Sequence, residues 1–312
     1  MIPQILTTKT ANEIIQSRRL RREAAKTLLG FCLIYFPHYF TLHRAEFHPD
    51  LVRLLEDWKI QLLAITGFRG CAKSTFAGLM LPLWAALEGK SKFIIPINET
   101  DEVVRLTIAN IREELDHNDL IGKDYGHWII DKVKSTKSTE TNILLANGCR
   151  ILGRSRGQKI RGLRHFQYRP DLVIIDDPEE RERVQKKEYR DKTEAWLRGD
   201  VIPSIEETKA RLIVIGNMLH TDSLQARLKN DRLFTHREYS LIKPDGSCSW
   251  HGKYPSAEAL EQQQQRVGRT AWLREFLLKV VPPDGQEVRE EDIRFYDTLP
   301  QGMHRTAVGV DL

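Results

Sequence analysis

The chain is short of sulfur, of long apolar runs and of charge of one sign, and each shortage removes a class of protein. Only four cysteines occur in 312 residues, at positions 32, 71, 149 and 248, and no two form a C-x-x-C pair. Neither a disulfide framework nor a cysteine zinc site is predicted; reduced thiols in a cytosol fit this spacing. The most apolar run, LLGFCLIYF at 28–36, is far shorter than the roughly 20 residues a membrane-spanning helix needs. It also starts too late, with no small-residue cleavage site behind it, to be a secretion signal. A buried helix is predicted there, and no membrane partner is expected. Lys and Arg number 48 against 43 Asp and Glu, a net charge of +5, too even for the total alone to imply a nucleic-acid partner. No internal repeat is present.

What remains is a soluble globular composition, long enough for two domains at roughly 150 residues each. Residues 12–35 alternate basic and apolar positions at helical spacing, which predicts a solvated face carrying Arg18, Arg19, Arg21, Arg22 and Lys26. AEFHPDLVRLLEDW (45–58) reads as a turn and an amphipathic helix. QLLAIT (61–66), KFIIPI (92–97), DLVIID (171–176) and RLIVIGN (211–217) are short apolar runs of buried-strand type. Between them, KSTFAGLMLPLWAALEG and TDEVVRLTIANIREELD read as helices, the second with Thr100 as N-cap. Pro82 should kink the first helix or cost it a hydrogen bond, and Gly89 should end it. NILLANGCRIL (142–152) is predicted to be a hairpin around Asn147-Gly148. Strands alternating with helices imply parallel crossovers and a three-layer α/β core. The turn-rich KPDGSCSWHGKYPS marks a domain edge near 240, followed by a helical stretch at 257–278 and a linker-like VVPPDG.

Three elements carry chemistry. Residues 67–75 read GFRGCAKST, between a buried strand and a helix start. The usual phosphate loop is G-x-x-x-x-G-K-S/T; Gly67, Lys73 and Ser74 keep its spacing, and Ala72 replaces the second glycine. Its added methyl constrains φ without removing a donor, and Gly70 keeps the loop supple. Backbone amides and the helix dipole favour phosphate here, Lys73 reaches the β/γ-phosphates and Ser74 serves Mg²⁺. The apolar strand of LVIIDDPEE (172–180) ends in carboxylates. That suits Asp176 as metal ligand and a neighbouring carboxylate as the group that orients or deprotonates water. From Arg150 to Arg169 seven basic residues (Arg150, Arg154, Arg156, Lys159, Arg161, Arg164 and Arg169) occur without an acid. Such a segment suits the phosphates of DNA or of a neighbour's nucleotide.

In this order the motifs resemble those of the large terminase subunit of tailed bacteriophages, the motor that packages DNA into procapsids. FHPDLVRLLED resembles the segment near the adenine, which implicates Phe47 and His48. GFRGCAKST resembles the terminase phosphate loop, so Gly67, Phe68, Arg69, Gly70, Cys71, Ala72, Lys73, Ser74 and Thr75 would cradle ATP, with Arg69 sensing the γ-phosphate. KIRGLR resembles the segment that offers an arginine to the adjacent subunit, which points to Arg161. LVIIDDPEE resembles the metal strand, and VIGNM the coupling motif, here Gly216 and Asn217. The family commonly places glutamate directly after the metal aspartate; this chain has Asp177 there and Glu179 two residues on, so both are candidates.

The resemblance implies a P-loop NTPase fold of the RecA-like (ASCE) type. It divides the chain into an N-terminal helical, adenine-side segment (1–58), an ATPase core (59–240), a lid and linker (241–300) and the first residues of a nuclease domain (301–312). Catalytic residues would be Lys73, Asp177, Glu179, Arg161 and Arg69; Ser74 and Asp176 would hold the metal; ATP and Mg²⁺ would be bound. Asn217 would relay the nucleotide state to the segment after 240. Expected partners are sequence-independent double-stranded DNA, neighbouring copies in a homo-oligomeric ring, the procapsid portal and the small terminase subunit. The setting would be the host cytoplasm, transiently at the portal vertex. AVGVDL runs into Asp311 where the nuclease's first strand would end, so ATP hydrolysis without DNA cleavage is expected. Two other classes compete: a helicase-like DNA-dependent ATPase, for which no second phosphate loop appears, and a non-hydrolysing nucleotide-binding subunit. A small-molecule kinase would leave VIGNM and the basic segment idle.

Overall fold

The computed structural model describes residues 16–126 and 139–280. The first residues of the N-terminal basic helix, the VVPPDG linker beyond Val280 and the AVGVDL end lie outside the described residues. Eight strands form one sheet: β1 (Leu62–Gly67), β2 (Phe93–Asn98), β3 (Asn142–Leu144), β4 (Arg150–Leu152), β5 (Arg154–Ser155), β6 (Leu172–Asp176), β7 (Arg211–Gly216) and β8 (Thr235–Tyr239). Their order is β3-β4-β2-β6-β7-β1-β8, with β5 pairing the end of β2. Every pairing is parallel except the β3–β4 hairpin around Asn147-Gly148.

The reason lies in the apolar runs. In β6, Leu172 and Ile174 join one core cluster and Val173 and Ile175 the other. A strand buried on both faces must be apolar at every position, and helices must cover both sides. The helices are α1 (Arg18–Ala24), α2 (Leu28–Tyr35), α3 (His48–Glu56), α4 (Leu81–Leu87), α5 (Asp101–His117), α6 (Asp119–Tyr125), α7 (Lys187–Trp196), α8 (Leu224–Lys229) and α9 (Ala257–Val267). Thr100 caps α5, its hydroxyl accepting from the Val103 amide at 3.3 Å. The apolar run at 28–36 forms α2, which buries Leu28, Phe31, Cys32 and Tyr35. No helix among the described residues is long and apolar enough to cross a membrane.

Three expectations are corrected. Arg21 is not on a solvated face: it is buried and forks onto Asp124, with Nε–Oδ2 at 2.6 Å and Nη2–Oδ1 at 2.5 Å. Tyr35 donates to the same carboxylate at 2.8 Å, so this charge closes α1 and α2 onto α6. Pro82 sits in the first turn of α4, where a missing amide matters least; a π-helical turn, Thr75–Met80, precedes it. β8 escapes sequence reading because THREY is polar and lies at the sheet edge with only Tyr239 buried.

Parallel pairing decides where the chemistry falls. Thr66 lies beside Gly216, and Asp176 beside Ile215. The loop after β1, the carboxylates of β6 and Asn217 after β7 therefore emerge at the same carboxyl edge, where ligands of open α/β sheets bind. One strand, β7, separates the loop strand from the carboxylate strand.

Candidate active site

The loop leaves β1 at Gly67, where a side chain would put its Cβ 2.7 Å from the Cys71 sulfur. Three of its amides are committed: Phe68 to the Tyr239 carbonyl at 3.0 Å, Arg69 to that of Glu275 at 2.7 Å, and Cys71 to that of Phe68 at 3.1 Å. Helix begins at Lys73, and the first amides of a helix have no partner inside it. Gly70 and Ala72 both adopt the left-handed region, at φ +75° and +69°. Ala72 is therefore not a neutral replacement. An L residue with a Cβ costs about 1 kcal/mol or more there, and Ala72 keeps the glycine conformation at that cost.

His48 anchors the loop from below. Its Nδ1 accepts from the Ala45 amide at 3.1 Å, so Nε2 carries the proton and donates to the Cys71 carbonyl, also at 3.1 Å. Burial pulls its pKa down to about 4 against the Cys71 bond that raises it, so the ring is neutral. Lys253 donates to the Gly70 carbonyl at 2.9 Å. Phe47 stacks on Tyr239, ring centres 5.0 Å apart. Beside the loop is a cavity of about 100 Å³ lined by Tyr39, Arg44, His48, Ala72, Thr75 and Trp250. Tyr39, Arg44 and Trp250 were not found by sequence reasoning, having no motif of their own.

Lys73 is buried, its Nζ 3.7 Å from Asp177 Oδ2. Burial alone would lower the ammonium's pKa, but Asp177, Cys71 and Asp176 together carry it above its ordinary value. Asp176 shows the reverse: burial first, then the Asp177 charge, push its carboxyl up to about 7 against Lys73 and a Ser74 hydroxyl bond. Its Oδ1 is buried without a hydrogen-bond partner. A carboxylate with an orphaned oxygen beside a serine hydroxyl is a hard, oxygen-only donor set, which fits Mg²⁺. Among the described residues no group of three or more His, Cys, Asp or Glu could hold a metal.

The two candidate carboxylates face different ways. Asp177 is exposed, held at φ +46° with its amide on the Ile215 carbonyl at 2.9 Å, and it points at Lys73. Glu179 is buried; its Oε2 accepts from the Leu224 amide at the start of α8 at 2.8 Å. Its Oε1 has no partner. Burial pushes its carboxyl up to about 7, opposed by that amide and by Arg156, Arg227 and Arg190. Arg156, which donates to Thr193 Oγ1 at 2.7 Å, is thus a neighbour of the carboxylate that sequence spacing could not single out.

Arg69 and Asn217 meet on Glu275. Arg69 Nε donates to Oε2 at 3.1 Å and Asn217 Nδ2 to the same oxygen at 3.0 Å. Arg161 is not brought to the group. It lies on the surface with Nε 2.7 Å from Asp200 Oδ1, and its guanidinium also binds the Gly199 carbonyl. With Arg164, Arg169, Leu163, Pro203 and Ser204 it lines a second cavity of about 290 Å³.

No protein-family model and no curated protein matches the chain. Solved structures do. The chain is similar to the large terminase of bacteriophage HK97, with 15% identity and a TM-score of 0.54 over 81% of this chain and 54% of that one. The Thermus phage P74-26 large terminase ATPase domain matches at 11% identity and TM-score 0.48, over 73% and 92% of the two chains. The large terminase of a second, thermophilic bacteriophage, in complex with ADP, matches at 11% and 0.45, over 75% and 52%. This chain thus spans about half the length of the HK97 protein. At such identities the likeness concerns the fold alone, and the fold is that of a terminase ATPase region: a RecA-like, P-loop α/β architecture around a mostly parallel sheet.

Proposed function

We propose that this chain is the ATP-hydrolysing region of a large terminase, a motor that moves double-stranded DNA. The observation that carries the reading is the meeting of Lys73, Ser74, Asp176 and Asp177 at one sheet edge, with a buried Asp176 oxygen left without a partner. Lys73 would bind the β/γ-phosphates, and Ser74 and Asp176 would hold Mg²⁺. The ion would bridge phosphate oxygens and neutralise the charge that develops on them. Asp177, beside Lys73, is our choice for orienting the attacking water; Glu179, tied to α8, instead links the strand end to that helix. Phe47 stiffens the base of the loop, and the cavity beside Ala72 and Thr75 would take the nucleobase side of ATP.

Arg161 would act on a neighbouring copy's nucleotide, since its surface position leaves its own chain's loop out of reach. Neighbouring copies in a ring, the portal, the small subunit and the host-cytoplasmic setting belong to the same proposal. DNA would be held through phosphates, so binding would ignore sequence and weaken steeply with salt. ATP turnover by the wild-type chain and by Lys73→Ala, with and without double-stranded DNA, tests the reading. Turnover that DNA stimulates and that Lys73→Ala abolishes supports it. A wild-type chain that binds ATP but never turns it over, even with DNA, would favour the non-hydrolysing subunit.

A further inference from the structure

Glu275 lies in the π-helical turn Trp272–Phe276, among the aromatic side chains of Trp272, Phe276 and Trp250, and is itself buried. Burying a carboxylate is costly unless its lone pairs are filled, and an apolar residue would close this cluster at least as well. Its lone pairs are filled from three places in the sequence. Oε2 takes Arg69 Nε and Asn217 Nδ2; Oε1 takes Arg274 Nε at 3.1 Å. Its backbone carbonyl accepts the Arg69 amide at 2.7 Å and, more weakly, Asn217 Nδ2 at 3.4 Å. The same turn is fixed to the end of β8, where the Leu241 amide donates to the Phe276 carbonyl at 2.9 Å.

The way Arg69 is held matters. Only its Nε is used, while the side chain is 72% exposed. An arginine held by Nε has its plane fixed and keeps both terminal amino groups for a second, two-pronged acceptor, the geometry that suits a phosphate. Asn217, on the same Glu275 oxygen, follows β7 directly. We propose that Glu275 is a positioning residue: it orients Arg69 toward the terminal phosphate of a bound nucleoside triphosphate and ties that arginine to Asn217 and to the 272–276 turn. The inference rests on the nucleotide reading above. It adds a residue and a route, because the nucleotide state passes to the segment after 240 through one carboxylate.

The test is titration of fluorescent (methylanthraniloyl) ATPγS and ADP, with Mg²⁺, into the full chain. The readout is the ratio of the two affinities, which a merely structural role leaves alone because both ligands use the same loop. The wild type is expected to prefer the triphosphate. Glu275→Gln keeps an acceptor but loses the charge, and should cut the preference about 10-fold, the worth of one charge-assisted hydrogen bond. Arg69→Ala should cut it equally, and the double variant no further, since the two residues act as a unit. If Glu275→Gln is too unstable to titrate, Arg69→Lys tests the same point. Lysine has no second nitrogen to be held while others reach, so the preference should again fall. An unchanged ratio in these variants, additive losses, or a wild type with equal affinity for both ligands would overturn the role of Glu275 and leave the nucleotide site standing. A wild type that binds neither ligand would overturn both.

Discussion

At the phosphate loop the amides of Phe68, Arg69 and Cys71 each meet a carbonyl, and His48 and Lys253 hold two of the loop's own carbonyls. In the basic segment, Arg164 and Arg169 are exposed and have no ion pair among the described residues, and Arg161 has only surface partners. The first region is finished by its own chain; the second is charge without an internal purpose. The difference teaches how the work is divided. A site that must place several phosphate oxygens at once needs a backbone fixed in advance. A group that serves another molecule only needs to be presented.

If that division holds, Arg161→Ala should leave the isolated chain unchanged and lower turnover of assembled chains about 10³-fold or more, the lower bound for such an arginine. Steady-state ATPase at rising protein concentration measures this. Mixed assemblies in which Arg161→Ala and Lys73→Ala chains complement one another would place the arginine in trans. Full activity of assembled Arg161→Ala, with loss in Arg164→Ala or Arg169→Ala, would move the role within the same cavity.

The finished region can be tested through its stored cost. Glu179 has its carboxyl raised from 4.5 to about 7. The native state therefore prefers it protonated: the favourable contribution is complete at acid pH and is lost as pH rises from about 4.5 to about 7. Glu179→Gln keeps the acceptor for Leu224 and removes the buried charge. It should stabilise the chain by up to about 3 kcal/mol at pH 8 and by almost nothing at pH 4, read by thermal or urea melts. His48 works with the opposite slope. Its pKa is lowered from 6.5 to about 4, so its contribution is present above 6.5 and is lost as pH falls toward 4. A smaller effect is expected at Ala72. Ala72→Gly should relieve the left-handed backbone and stabilise by about 1 kcal/mol, with nucleotide affinity changed by less than about 3-fold.

Much of this arrangement was legible before the fold. The apolar runs of β1, β2, β6 and β7 announce a parallel sheet because burial on both faces allows nothing else, and Lys73, Ser74 and Asp176 keep the spacing phosphate and metal demand. What stayed hidden depends on distant partners. Arg211 opens a strand and looks like a surface charge, yet it is fully buried and donates to the carbonyls of Leu54, Leu55 and Ile60. Glu275 sits in a helical string, and its partners stand 206 and 58 residues away. The cost of Ala72 was hidden because composition does not reveal φ. Asp177 and Glu179 were indistinguishable until the strand end turned one toward Lys73 and the other toward α8.

That pairing of Lys73 with Asp177 is the centre of the account, and parallel measurement of ATP binding and turnover in Asp177→Asn and Glu179→Gln tests it most directly. We expect Asp177→Asn to bind ATP within a few-fold of wild type while turnover falls at least about 100-fold, and Glu179→Gln to retain turnover within about 10-fold of wild type. Normal turnover in Asp177→Asn, with loss in Glu179→Gln, would contradict it.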